Sequence, residues 1–366
     1  MVHDVSSILF ASLDFGFVAI SDDKCFLRYP AEGDIAILAC IYVDDSLLAF
    51  QTDALRLMYK SALRLRFPCT FVDRAYSFLG WDLFQDTVTF QIQDNHISSI
   101  KRFLMTQPSI QLTRPVQTPL ELNVRFFPAD SSIDADPRVI TLYRADVGYI
   151  NWLAQNCCPY LLYPVSQIAR LNAHPEPIHI QAVDRVKRFL ATNLDLSQHF
   201  GYPNAVDLSH NLDLYVYADA SFCAPELQSR SMAGYLTRFL GSVISARCSK
   251  ISKVAQLAME AEFYSASQAG NEIVYLWMLV QRMGYEQLKP TALLEDNQAA
   301  IAISENPVFR NRSKHINMRR HLIRQYIEDK ILEFEFCPSH VQGADLVTKA
   351  VTVAIYKILL PYYNVW

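Results

Sequence analysis

The stretch LDLYVYADASF, Leu212 to Phe222, constrains the fold most. Leu214, Val216, Ala218 and Ala220 alternate with Tyr215, Tyr217, Asp219 and Ser221. That period of two is the signature of a β-strand with one wholly apolar face. Asp219 then stands mid-strand on the second face, beside two tyrosines. Aspartate is depleted in strands because it packs poorly and resists desolvation, so a cation or a basic partner is expected to compensate it. Taken alone, Asp219 is equally readable as a strand end entering a turn. Three further carboxylates downstream, each able to reach the same place, shift the balance.

The chain has 366 residues, enough for two or three domains. Hydrophobic residues make up 51% and charged ones 19%, a globular rather than disordered balance. A net charge of -4 gives no global attraction to nucleic acid, so such a role needs a local basic patch. The eight cysteines are scattered without a CxxC pair, which suggests reduced thiols in an intracellular protein, cytoplasmic or nuclear, rather than a zinc or disulfide framework. The longest apolar run, Ile35 to Val43, is too short to span a bilayer, and the amino terminus has no basic region followed by an apolar one. No membrane association or signal peptide is expected.

In chain order, Ile35 to Phe50 predicts a buried hairpin with Asp44 and Asp45 at its tip. Thr52 can cap a helix to about Phe67, with Leu55, Met58, Ala62 and Leu65 on one face. FLGWDLF from Phe78 and VTFQI from Val88 suggest strands. Pro115, Pro119, Pro128 and Pro137 mark a loop-like segment. Helices are expected over Tyr143–Asn156 and Ile180–Asn193, then a linker from Leu194 to Asn211. From Leu212 the order is three strands, a long helix from about Ala258 to Met283, a strand at Ala292–Glu295, a helix from Asn297, a helix after Ser313 to about Asp329, a strand at Ile331–Cys337 and a last helix from about Gln342. This is an α/β pattern with a mixed sheet.

Periodicity separates the two acids near the start of the long helix. Ala266, Ala269, Ile273, Leu276 and Val280 form one stripe, and Glu262 falls on it one turn earlier. Glu260 falls nearly opposite and should face solvent. Asp296 ends a strand before a helix, where it could simply be an N-cap. Asp345 lies in the first turn of the last helix, where the helix dipole favours an acid. Each simple reading suffices for one residue. Together, Asp219, Glu262, Asp296 and Asp345 occupy the places from which side chains converge at one edge of an α/β sheet. Four clustered carboxylates repel unless divalent cations lie between them, and hard oxygen ligands suit Mg²⁺ or Mn²⁺.

This order of acids on this element pattern resembles the ribonuclease H fold. AEFYSAS from Ala261, DNQAAI from Asp296, ADLVTKA from Ala344, SRSMAGY from Ser229 and SKHIN from Ser313 resemble the version in copia-type LTR retrotransposons. The resemblance implies a two-metal endonuclease acting on the RNA strand of an RNA–DNA hybrid, one ion generating the attacking hydroxide and the other stabilising the leaving oxygen. It also implies that His340 is the mobile histidine many such enzymes carry near the site; the simple alternative is an exposed loop histidine. The helix after Ser313 carries Lys314, His315, Arg319, Arg320, His321 and Arg324, preceded by Arg310 and Arg312. This is the strongest basic cluster of the sequence. It could contact phosphates or be a solvated face.

YVDD, Tyr42 to Asp45, resembles the metal-binding turn of reverse transcriptases. FLG at Phe78, TP at Thr118, YRADVGYINWL from Tyr143 and VDRVKRFL from Val183 extend that resemblance over nearly the whole chain. The expected domains are residues 1–115, a partial reverse transcriptase palm of α+β type; 116–205, a thumb- or connection-like region; and 206–366, a ribonuclease H-like mixed-sheet domain. Such a polymerase needs another aspartate from an earlier palm strand and a fingers domain, and the 43 residues before Asp44 resemble neither. Asn317 and Val347 depart from the usual Asp and Phe. The expected function is that of a retrotransposon polyprotein fragment with a complete nuclease site and an incomplete polymerase site. The alternatives are a non-catalytic relic or an adopted nucleic-acid-binding module, and a piece whose neighbouring sequence supplies the fingers.

Overall fold

The computed structural model describes residues 15–22, 24–43, 45–66, 68–85, 92–95, 97–105, 115–122, 124, 126–127, 136–196, 198–201, 214–222, 231–251, 258–305 and 314–365, without the side chains of 92–95, 305 and 314–317. The chain divides into two compact units, Met1–Gln85 with Val274–Leu288, and Asp86–Ile273 with Lys289–Trp366. Among the described residues, no helix is long and apolar enough to cross a membrane.

The first unit holds an antiparallel sheet of β1 (Val18–Ala19), β2 (Phe26–Tyr29), β3 (Ile37–Tyr42) and β4 (Asp45–Phe50) in sequential order. Ile37, Ala39 and Ile41 alternate into a core with Phe17, Leu27 and Tyr59. Helix α1 (Asp53–Arg64) starts where the Thr52 hydroxyl accepts from the Leu55 amide at 3.3 Å. Its buried face differs from the expected stripe. Tyr59 is the buried residue, set edge-on to Phe15 at 5.5 Å, whereas Met58 is 45% and Leu65 88% exposed. Tyr59 joins a cluster of rings with Phe15, Phe17 and Phe50, and the pairing of aromatic rings turns this face of the helix inward. The β3–β4 hairpin is not buried at its tip, where Tyr42 and Val43 are exposed. Strands β5 (Ser77–Phe78) and β6 (Trp81–Gln85) form a hairpin across Leu79 and Gly80.

The second unit opens with β7 (Ile92–Asn95) and continues with α2 (Ile97–Met105), α3 (Pro137–Asn156), α4 (Leu162–Ala169), α5 (Pro177–Thr192) and β8 (Gln198–Phe200). Most of VTFQI lies outside the described residues, and the strand found there begins only at Ile92. Helix α3 starts two turns before the expected Tyr143. Pro137 is its first residue and Asp136 its cap, accepting from the Arg138 amide at 2.8 Å; a proline punctuating a loop and a proline opening a helix look alike in sequence. The expected linker contains β8, which pairs with β7.

Next comes a meander of β9 (Leu214–Ser221), β10 (Met232–Phe239) and β11 (Ser242–Lys250), followed by α6 (Ala258–Arg282), β12 (Thr291–Glu295), α7 (Gln298–Glu305), α8 (Lys314–Glu328) and β13 (Leu332–Phe336). The sheet order is β11-β10-β9-β12-β13, antiparallel within the meander and parallel across β9, β12 and β13. That is the mixed α/β sheet expected. The last expected helix is broken into a 3₁₀ turn at Ser339–Val341, a short α9 (Asp345–Thr348) and α10 (Val353–Leu359).

Both faces of the sheet are covered. Tyr217, Leu236 and Leu294 point into one large core with Ile150, Leu153, Val186 and Phe189 of α3 and α5 and with Leu346, Val347 and Tyr363 near the carboxyl end. Ala220 and Ala233 point the other way, onto Ala261 of α6. The stripe of α6 is buried as expected, with Ala269 and Ile273 fully enclosed. At ~1.5–3 kcal/mol for each large side chain removed from water, this double-sided core fixes the sheet firmly enough to hold charges inside it.

Candidate active site

Strand parity decides where each acid points. Asp219 is in register with Gly234 on β10, and both belong to the face covered by α9. A Cβ on Gly234 would lie 2.8 Å from the Arg247 carbonyl oxygen and 2.8 Å from the side chains of Thr348 and Val347, so only glycine lets α9 approach Asp219 this closely. Gln342 pins the segment before α9. Its Nε2 donates to the carbonyls of Ala218 (3.1 Å) and Leu294 (3.3 Å), and its Oε1 accepts from the Ala344 amide at 3.2 Å. Asp345 is thereby held beside Asp219, and both are buried. The Thr348 hydroxyl donates to Asp219 Oδ2, while Lys349 Nζ lies 2.7 Å from Asp345 Oδ1 and 3.7 Å from Asp219 Oδ2.

Leu294 faces the large core, so its neighbour Glu295 points to the α6 face, and Glu295 is fully buried. Glu262 lies on that side too, at 6% exposure, and the α6 register is the one expected. Glu260 is half-buried rather than solvent-facing. Glu295 Oε1 accepts from the Asn297 amide at 3.0 Å. Asp296 is not the N-cap of α7: Asn297 Oδ1 accepts from the amides of Ala299 (3.1 Å) and Ala300 (3.2 Å), which leaves the half-buried Asp296 carboxylate at the strand end.

Burial first, and neighbouring carboxylates second, push this group of acids towards the protonated form. Burial, Glu295 and Asp219 raise Glu262 to about 10. Burial raises Glu295 to about 8 against the bond from Asn297, and burial with Asp219 raises Asp345 to about 7. Asp219 is also raised, chiefly by burial, with Lys349 and Thr348 opposing. Burial alone would lower Lys349, but Asp219 and Asp345 outweigh it and hold the ammonium charged.

Among the described residues, no three His, Cys, Asp or Glu side chains stand close enough together to enclose an ion as they are. The sheet explains this: Asp219 and Asp345 lie on one face, Glu262 and Glu295 on the other, with Asp296 beyond the strand end. The donor chemistry nonetheless suits a hard divalent cation. Glu262 Oε2 and Glu295 Oε2 are buried oxygens without a hydrogen-bond donor.

The other expected residues are less drawn together. His340 is exposed in the 3₁₀ turn. Asp44 and Arg312 lie outside the described residues, as do the side chains of Lys314 and His315, while Asp45 is exposed at the start of β4. Arg319 stacks over the Tyr264 ring at 3.9 Å, Arg320 is buried and Arg324 is half-buried, so this helix is not a uniformly solvated face. Sequence reasoning missed Glu295, Gln342, Thr348 and Lys349. The Asp345–Lys349 spacing of four was a readable ion-pair signal.

No protein-family model matches the chain. It is 26% identical over 351 residues to the retrovirus-related Pol polyprotein from transposon RE1 of Arabidopsis thaliana, covering 94% of this chain and 23% of the relative. It is 27% identical over 336 residues to that from transposon TNT 1-94 of Nicotiana tabacum, covering 90% and 24%. The chain's homologues are retrovirus-related Pol polyproteins from transposons. It spans about a quarter of the length of these Pol relatives. Among solved structures, the N-terminal RNase H domain of rv2228c from Mycobacterium tuberculosis matches 42% of this chain and 96% of its own at 10% identity and a TM-score of 0.30. The foamy viral protease-reverse transcriptase in complex with RNA/DNA hybrid matches 82% of this chain and 36% of its own at 12% identity and a TM-score of 0.44.

Proposed function

We propose that this chain is a copia-type reverse transcriptase and ribonuclease H fragment whose nuclease site hydrolyses the RNA strand of an RNA–DNA hybrid. What supports this reading is that, besides burial, Asp219 and Asp296 each push Glu262 and Asp345 towards the protonated form, so the four acids lie within electrostatic reach of one another, and that Asp219, Glu262 and Asp345 are buried. Mg²⁺ or Mn²⁺ would be held by those four residues, with Glu295 behind them. When bound, two such ions supply activation of the attacking water and stabilisation of the leaving oxygen. The chain's own part is to place the oxygens. Gln342 fixes the Asp345 segment, Gly234 admits it, and Asn297 relieves Asp296 of capping α7. His340, exposed beside this edge in sequence, is free to meet substrate. Arg312, Lys314, His315, Arg319 and Arg324 are the proposed phosphate contacts, while the buried Arg320 is assigned to the packing of the helix. We place the protein inside the cell, in cytoplasm or nucleus, as part of a retrotransposon polyprotein, with domain bounds near residues 115 and 205.

The polymerase site within these residues is proposed to be incomplete, because the segment before Asp44 resembles the stretch just upstream of the paired aspartates and not the palm strand that carries the third aspartate. Purified chain with Mg²⁺ or Mn²⁺ should not extend a primer; templated extension that Asp44→Asn abolishes would refute this. A second reading, a binding module without turnover, is favoured by the Lys349 ammonium on two of the four acids. A labelled hybrid separates the two. Metal-dependent cutting of its RNA strand supports the nuclease, and binding without cutting supports the module.

A further inference from the structure

The two halves of the acid cluster are compensated unequally. Glu262 Oε2, Glu295 Oε2 and Asp345 Oδ1 are buried oxygens with no hydrogen-bond donor, and of the three it is Asp345 Oδ1 that has a cation beside it among the described residues. Asp219 and Asp345 have a cation already, because Lys349 Nζ stands 2.7 Å from one and 3.7 Å from the other. Thr348, the residue before it, donates to the same Asp219 oxygen. The carboxylates are all but enclosed, with side-chain exposures of 3% and 7%, whereas Lys349 is 37% exposed. Its ammonium therefore reaches the acids from the solvent side, on a flexible four-carbon stem, and can leave by the same path. A lysine is a compact point charge that neutralises without fixing a coordination geometry.

Building on the nuclease reading, we propose that Lys349 is a resident counter-cation of the Asp219–Asp345 pair, which a divalent ion must displace to use those two oxygens, so that Lys349 sets the chain's affinity for the ion. In the metal-free protein it suppresses the repulsion between two buried acids. On metal binding the same charge becomes a competitor, and the ion must match an ammonium before it gains anything.

The test is calorimetric titration of the parent, Lys349→Met and Lys349→Arg with Mg²⁺ and with Mn²⁺, beside melting temperatures in chelator. Lys349→Met should melt lower in chelator and bind Mg²⁺ about tenfold more tightly, since the competing cation is gone. Lys349→Arg, which keeps the charge, should bind no more tightly than the parent. A second measurement needs no variant: acylation of Lys349 in the parent, followed by mass spectrometry, should speed up when Mg²⁺ is added. Unchanged or weaker Mg²⁺ binding by Lys349→Met, with the parent binding normally, would overturn the proposal and leave the nuclease reading standing. So would a Lys349 that acylates no faster with Mg²⁺. A parent that takes up no metal in calorimetry would remove both.

Discussion

Gly234 and Glu262 carry the sharpest consequences of single side chains. Gly234→Ala puts a methyl group 2.8 Å from a backbone oxygen and from two side chains of α9, so the strand or α9 must shift. Overpacking of this kind costs about 1–3 kcal/mol, and the shift should reach Asp219 directly opposite; urea unfolding measures the cost, and an unchanged midpoint would contradict the packing described. Glu262 governs pH dependence. Its folded-state pKa of about 10 exceeds the ordinary 4.5, so the folded protein keeps a proton that the unfolded chain has lost. Stability without metal is then greatest below the ordinary value and falls as pH rises through the window from 4.5 to about 10. Glu295, raised to about 8, and Asp345, raised to about 7, add to the same slope. Lys349 is raised as well, so its contribution falls in the same direction, but only as pH climbs through the higher window between the ordinary lysine value and its own elevated one. Glu262→Gln should flatten the decline seen by denaturant unfolding in chelator, and an identical slope would show that the carboxyl is solvated. The register of α6 was legible because five buried positions share one 3.6-residue stripe with Glu262. Glu295 was not, because it and Asp296 are adjacent acids at a strand end and only strand parity shows that the two point to different places.

Helix α8 shows how a cluster in sequence disperses in space. Arg319 lies over the Tyr264 ring, a geometry worth about 0.5–1 kcal/mol at a half-open site, while Arg320 is buried and its guanidinium is held down from the usual arginine value by burial and by Arg324. Arg319→Ala should therefore lower the salt slope of hybrid binding by roughly one unit. Arg320→Ala should instead lower the melting temperature and leave that slope alone; the reverse assignment would put the phosphate contact on the wrong arginine. Strands β9 to β13 and their order were legible, since alternation, turns and strand–helix succession all agreed. The carboxyl-terminal segment was not. Part of what holds it is a glutamine bridging two strands, Gln342 on Ala218 and Leu294, and no periodicity announces a side chain that caps backbone across a sheet. Helix α3 began earlier than expected for a related reason: Asp136 and Pro137 are turn residues and helix-opening residues alike.

For the molecule as a whole, the mixed sheet with both faces covered explains why the acids come from two sides and why a cation would have to join them. The resemblance in sequence, the sheet order and the homologous Pol polyproteins agree on the fold, and the chemistry rests on the sheet edge. The direct measurement is cleavage of a hybrid labelled on its RNA strand, with and without Mg²⁺, by the parent, Asp219→Asn, Glu262→Gln and Glu260→Gln. The parent and Glu260→Gln should cut only with the metal, and Asp219→Asn and Glu262→Gln should lose cutting by about two orders of magnitude or more, as when a group that stabilises transition-state charge is removed. Cleavage that survives Glu262→Gln but is lost in Glu260→Gln would contradict the site.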